Sequence, residues 1–179
     1  MAFSDLDNDQ KIILYVYSRY SSEKELTFLQ YTAALVIFYY LKQQGVFPEY
    51  DEQLLVYDYK DSRRFLWEDK KFMNDINVVR DHGFLNRARL KTAEYRDLNA
   101  HYCTTSGAKA ISDHFGHTDE AGNIEKLITC PCGGVYEILL KDEAPVLHCT
   151  HCRKKDVVVE GFLRDFTDPI PEKYSPAFL

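Results

Sequence analysis

Cys130-Pro131-Cys132-Gly133-Gly134 is followed by Cys149-Thr150-His151-Cys152, so four of the five cysteines form two close pairs in the last third of a 179-residue chain. Two such pairs, one hairpin apart, are what a tetrahedral four-thiolate site requires. Each tight turn supplies two ligands, and the strands between them bring the turns together. Gly133 and Gly134 let the backbone turn under the first pair, where a Cβ would clash. Five cysteines are too few for a secreted disulfide scaffold, and their bunching points to a bound metal in a reducing compartment.

The surrounding sequence fits this arrangement. Val135 to Leu140 reads as a strand, Lys141 to Pro145 as a turn, Val146 to His148 as the return strand, and Asp156 to Phe162 as a third strand. This pattern resembles a zinc ribbon spanning residues 125–163. The expected ligands are Cys130, Cys132, Cys149 and Cys152, holding one Zn2+ per chain. The first pair is C-x-C rather than C-x-x-C, which leaves a ligand from His148 or His151 open. Iron in a rubredoxin-like site and disulfides between the pairs are the competing readings. With four thiolates and no position kept for water, the metal is expected to be structural. Its binding, worth about 10 to 16 kcal/mol in small zinc units, would fold a hairpin too small to bury a core of its own.

The remaining length allows one further domain. A content of 45% hydrophobic and 28% charged residues gives a globular chain and excludes global disorder, collagen and coiled coil. The net charge of −6 argues against wholesale nonspecific binding to nucleic acid or anionic membrane. That total conceals a division: residues 1–59 carry 4 basic and 9 acidic side chains, 60–96 carry 10 and 6, and 97–179 carry 8 and 13. Met1 to Asp5 lacks a basic stretch leading into an apolar one, and the apolar run Leu26 to Leu41 is too short and too polar to span a bilayer. A soluble, cytoplasmic protein is expected.

Helical spacing of Ile12, Ile13, Val16, Tyr17 and Tyr20 predicts a helix over Asp7 to Tyr20, with acidic capping residues before it. A second helix is predicted over Leu26 to Gln44, stopped by Gly45 and Pro48. Being apolar all round, it reads as a central core helix, with an interface face as the alternative. Leu54 to Tyr59 is apolar and carries no clear periodicity. A third helix is predicted from Ser62 to His82, ended by Gly83, then a hairpin of Phe84 to Thr92 and Leu98 to Thr104, then a short helix from Ser106 to Phe115.

That order is the order of a winged-helix domain, and two strings carry the resemblance. Asn77 to Arg89, with its core Asp81-His82-Gly83-Phe84-Leu85, resembles the end of a recognition helix running into the wing of winged-helix regulators. Tyr102-Cys103-Thr104-Thr105-Ser106-Gly107-Ala108-Lys109-Ala110-Ile111 is similar to the Y-x-L-T-x-x-G-x-x-A return from the wing, with Thr104 where leucine is usual. The expected fold is therefore α+β: a mainly helical winged-helix-like domain over 1–118, a small β zinc ribbon over 125–163, and an extended tail over 164–179 containing Pro169, Pro171 and Pro176. This resembles, in domain order alone, general transcription factors that pair a winged helix with a zinc ribbon.

Arg63, Trp67, Lys70, Lys71 and Asn74 recur at steps of three to four along the predicted third helix, as a recognition helix would present them to phosphates and base edges. Arg87, Arg89, Lys91 and Arg96 would lie on the wing. A solvated charged face is the plainer reading, and Glu68 and Asp69 interrupt the stripe. His101, His114 and His117 with Cys103 invite a second metal site, though Cys103 is more simply a buried strand residue. The chain has no glycine-rich phosphate loop, no G-x-S-x-G and no H-E-x-x-H, so no enzyme, no small-molecule substrate and no membrane partner are expected. Two functions follow. One is a zinc-binding regulator touching DNA through a modest basic patch. The other is an adaptor or small subunit that docks proteins, or itself, through the ribbon and its aromatic surfaces.

Overall fold

The computed structural model describes residues 2–50, 53–59, 62–68, 70–91, 98–139, 144–152 and 156–165, with 53–59, 62–68 and 163–165 described as backbone. The fold is α+β, with five α-helices and three three-stranded sheets among the described residues, the small C-terminal one bearing the cysteines at its end. No described helix is long and apolar enough to cross a membrane. The tail over 166–179 and Arg96 lie outside the described residues.

Helix α1 (Asn8–Tyr20) begins where expected. The Asp7 carboxylate accepts from the Gln10 backbone N–H at 2.9 Å, and the Gln10 side chain accepts from the Asp7 N–H at 3.1 Å. Helix α2 (Tyr31–Gln43) starts later than its apolar run suggested, because Leu29–Gln30 forms a short strand, β1, instead. Before it, Ser22 and Thr27 bridge a turn in which Leu26 adopts a left-handed φ of 54°. Ala34 to Tyr39 and Leu41 are all buried, so α2 is the central core helix. Phe38 lies at its centre, with its ring 4.5 Å from Phe72, 5.8 Å from Phe47 and 5.9 Å from Tyr17.

The predicted third helix is really two elements. Gln53–Tyr59 (β2) and Ser62–Glu68 (β3) form an antiparallel hairpin in which Leu55 pairs with Leu66, and helix α3 occupies only Lys70–Asp81. Helical spacing across Ser62 to Glu68 misled because Phe65, Leu66 and Trp67 also suit a strand, and Leu54 to Tyr59 offers them a partner. Arg63 and Trp67 therefore sit on a strand and share no helix face with Lys70, Lys71 and Asn74.

Strands β4 (Leu85–Leu90) and β5 (Leu98–Cys103) form the expected hairpin, and β1 joins its other side in the order β1-β5-β4. Thr104 caps helix α4 (Thr105–His114) by accepting from the Gly107 N–H at 3.0 Å. The capping threonine thus stands three residues before the glycine, and Cys103 and His101 on the strand before it are buried. A Cβ on Gly107 would lie 2.3 Å from the Phe84 carbonyl oxygen, so glycine is needed for α4 to approach β4.

Helix α5 (Asp119–Ile128) leads directly into the first cysteine pair. Glu125 anchors it to α1, accepting from Arg19 at 2.7 Å and from the Tyr15 hydroxyl at 2.8 Å. Beyond it come β6 (Glu137–Leu139), β7 (Val146–His148) and β8 (Val157–Val158), in the order β6-β7-β8. Leu147, Val159 and Phe162 join the same buried cluster as the helices. A last strand, β9 (Leu163–Asp165), crosses to pair with β3, completing the sheet β2-β3-β9.

Candidate metal centre

The site is assembled from two turns at the end of the β6-β7-β8 sheet. At the first, Thr129 bridges Val135, the Cys130 N–H donates to the Gly134 carbonyl at 2.8 Å, and the Gly133 N–H donates to the Cys130 carbonyl at 2.8 Å. Gly133 takes a φ of +90°, which a side chain would oppose. At Gly134 a Cβ would lie 2.7 Å from the His151 ring, which would have to move aside. Gly133 thus allows the tight C-x-C turn, and Gly134 lets the His151 ring of the second pair lie against it.

All four Sγ atoms lie within 4.8 Å of one another. Cys130 and Cys152 approach to 3.3 Å, and Cys132 and Cys149 to 3.4 Å. A disulfide would bring sulfurs to about 2.05 Å, whereas a tetrahedral zinc site with bonds of about 2.3 Å spaces them by about 3.8 Å. Cys130 and Cys149 are buried, Cys152 is half-buried and Cys132 faces solvent.

At Cys149 the electrostatics favour thiolate. The backbone N–H of Cys152 lowers the Cys149 thiol to about 6 against the opposing effect of burial, assisted by Cys132, the His151 N–H and Cys130. At Cys132 the Gly134 N–H acts downward, but the hydrogen shared with Cys149 and Cys130, together with burial, raises the thiol on balance. Backbone N–H groups aimed at sulfur are the outer support that fixes metal ligands and stabilises their charge. The four cysteines could hold one metal ion such as zinc, and the donor set fits it.

Neither histidine left open by the sequence displaces a cysteine. His148 Nδ1 lies 2.6 Å from Asp156 Oδ1, and the His151 ring lies against Gly134. Among the described residues no other group of three or more ligating side chains converges. His114 stacks on Phe3 at 5.6 Å, His101 lies edge-on to Tyr17 at 5.9 Å, and burial pushes the Cys103 thiol up to about 12.

The basic residues are distributed differently from their expected stripe. Lys71 is turned inward, its ammonium 2.6 Å from Asp9 and 3.1 Å from buried Asp75. Asp75 also accepts from Tyr50 at 2.9 Å and from Gln10 at 3.0 Å. Burial disfavours the Lys71 charge, but the two carboxylates outweigh it and raise its affinity for the proton. Lys70 and Asn74 are exposed on α3, while Arg87, Arg89 and Lys91 are exposed at alternate positions along and just beyond β4. Arg87 donates to the Asn99 side chain at 2.5 Å.

Sequence reasoning did not identify the α5 support beneath the first cysteine pair. Its signal was present: Thr118-Asp119-Glu120 is a cap followed by acidic residues, and Ala121, Ile124 and Ile128 recur at helical spacing on the buried side. Comparison with protein-family models, curated proteins and solved structures finds no match to this chain.

Proposed function

We propose that this is a non-enzymatic protein carrying one structural zinc, whose winged-helix-like part contacts duplex nucleic acid in a regulatory role. The observation that carries the zinc is the convergence of four sulfurs from two turns, the first of them supported by Gly133 and Gly134. The DNA reading is supported by element order: helix, short strand, helix, helix and hairpin, with β1 adding to the hairpin's second strand. It departs from a plain winged helix in the β2–β3 hairpin placed between α2 and α3. The contact set is Lys70 and Asn74 on α3 with Arg87, Arg89 and Lys91 on the wing. Lys71, committed to Asp9 and Asp75, drops out.

The test has two parts. Native mass measurement should find one zinc per chain. Binding to random duplex DNA should weaken with salt, and replacing Arg87, Arg89 and Lys91 together by alanine should flatten the salt slope by about 2 to 3. Undetectable binding at low salt would end the DNA reading and leave the metal centre standing.

A second reading, a protein-docking adaptor, is favoured by the turn before β1, where Leu26 is 73% exposed and Phe28 37% exposed. Leu26→Ser should then disrupt partner capture while leaving zinc content unchanged.

A further inference from the structure

We propose that the metal centre governs the β2–β3 hairpin through strand β9, so that loss of the metal releases an element far from the cysteines in sequence. The inference rests on the four cysteines binding metal as read above.

The hairpin is inserted between α2 and α3, and its two strands pair over Gln53↔Glu68 to Tyr59↔Ser62. A two-stranded hairpin is marginal in water, and a third strand is what gives such a sheet independent stability. That strand is β9, with Leu66 opposite Leu163, Phe65 opposite Arg164 and Arg64 opposite Asp165. It is the direct continuation of the ribbon. From Cys152 the chain passes through β8, whose residues pair with β7, and the Val159 N–H donates to the Pro145 carbonyl at 2.9 Å.

Next, Gly161 turns at a φ of +78°, and Phe162 is wholly buried with its ring 5.8 Å from Tyr39 of α2. A Cβ on Gly161 would stand 2.9 Å from the Tyr39 hydroxyl. Gln43, the last residue of α2, donates to the Glu160 carbonyl at 2.9 Å. β9 therefore reaches β3 only because the segment before it is set at one end by the ribbon and at the other by α2. The ribbon sheet, with strands of three, three and two residues, is too small to persist without its metal.

The experiment is amide hydrogen exchange on the full chain, zinc-loaded, stripped with a strong chelator, and reloaded, with zinc content followed by native mass. Stripping should speed exchange at least tenfold across Gln53–Tyr59 and Ser62–Glu68 while α1 stays within twofold, and zinc should restore protection. Phe162→Ala, with its zinc still bound, should expose the same hairpin amides. If zinc leaves and returns stoichiometrically while hairpin exchange does not change, the coupling is overturned. If the chain takes up no metal at all, the reading of the centre falls and this inference falls with it.

Discussion

His101 is a polar side chain held where neither its charge nor its hydrogen-bonding capacity is satisfied. It lies on β5, only 6% exposed, with no hydrogen-bond partner for its buried Nδ1 among the described residues. Burial, reinforced by Arg80 and Arg87, depresses its pKa from 6.5 to about 4. The unfolded chain therefore binds a proton at His101 below pH 6.5 that the folded chain refuses until about pH 4. Stability from this group is present above pH 6.5 and lost as pH falls through that window, by about 3 kcal/mol in all. Denaturant titrations at pH 7 and pH 4.5 should show the loss, and His101→Phe should remove most of it. The sequence identified His101 only as a metal candidate, because nothing in a single residue name announces burial against Tyr17. Cys103 was different: a lone cysteine within a strand is ordinarily core, and it is.

At the scale of elements, local signals served well wherever a cap or a breaker marked the end. Asp7 started α1, Gly83 followed α3, and Gly45 followed α2 at a φ of +82°. They failed where one stretch suited two structures. Ser62 to Glu68 has helical spacing, yet its partner strand lies a two-residue connection away, and tertiary pairing decided the outcome. Leu26 to Gln30 suggests helix because its apolar character continues into α2, while the β1–β5 pairing that claims Leu29 is invisible locally. Helix α5 should depend on its cap, where the Thr118 hydroxyl accepts from the Ala121 N–H at 3.1 Å. Thr118→Ala should cost about 0.5 to 2 kcal/mol by denaturant titration.

For the molecule as a whole, the metal centre was legible because ligand chemistry writes itself into spacing: four sulfurs, two glycines and a hairpin's length between them. The basic patch was less so, because charge along a sequence does not reveal which lysine meets a carboxylate, and Lys71 meets two. The packing of the ribbon onto the helices through Leu147, Val159 and Phe162 was likewise unreadable, since long-range contact leaves no periodic trace. It makes the metal matter beyond its own strands. Cys149→Ser should lower the thermal midpoint and the zinc content together, whereas His151→Ala should leave zinc bound, as measured by melting and native mass.

The pairing of β3 with β9 also sets a timetable. Arg64 must wait for Asp165, roughly 100 residues later in synthesis. At about 5 to 20 residues per second the hairpin spends on the order of 5 to 20 s outside the ribosome before its third strand exists. During that interval β3 presents an open edge, the kind of surface that pairs with a neighbouring chain. Timely delivery of the C-terminal third is thus a condition of clean folding, and slow translation or metal scarcity should push the nascent chain toward aggregation.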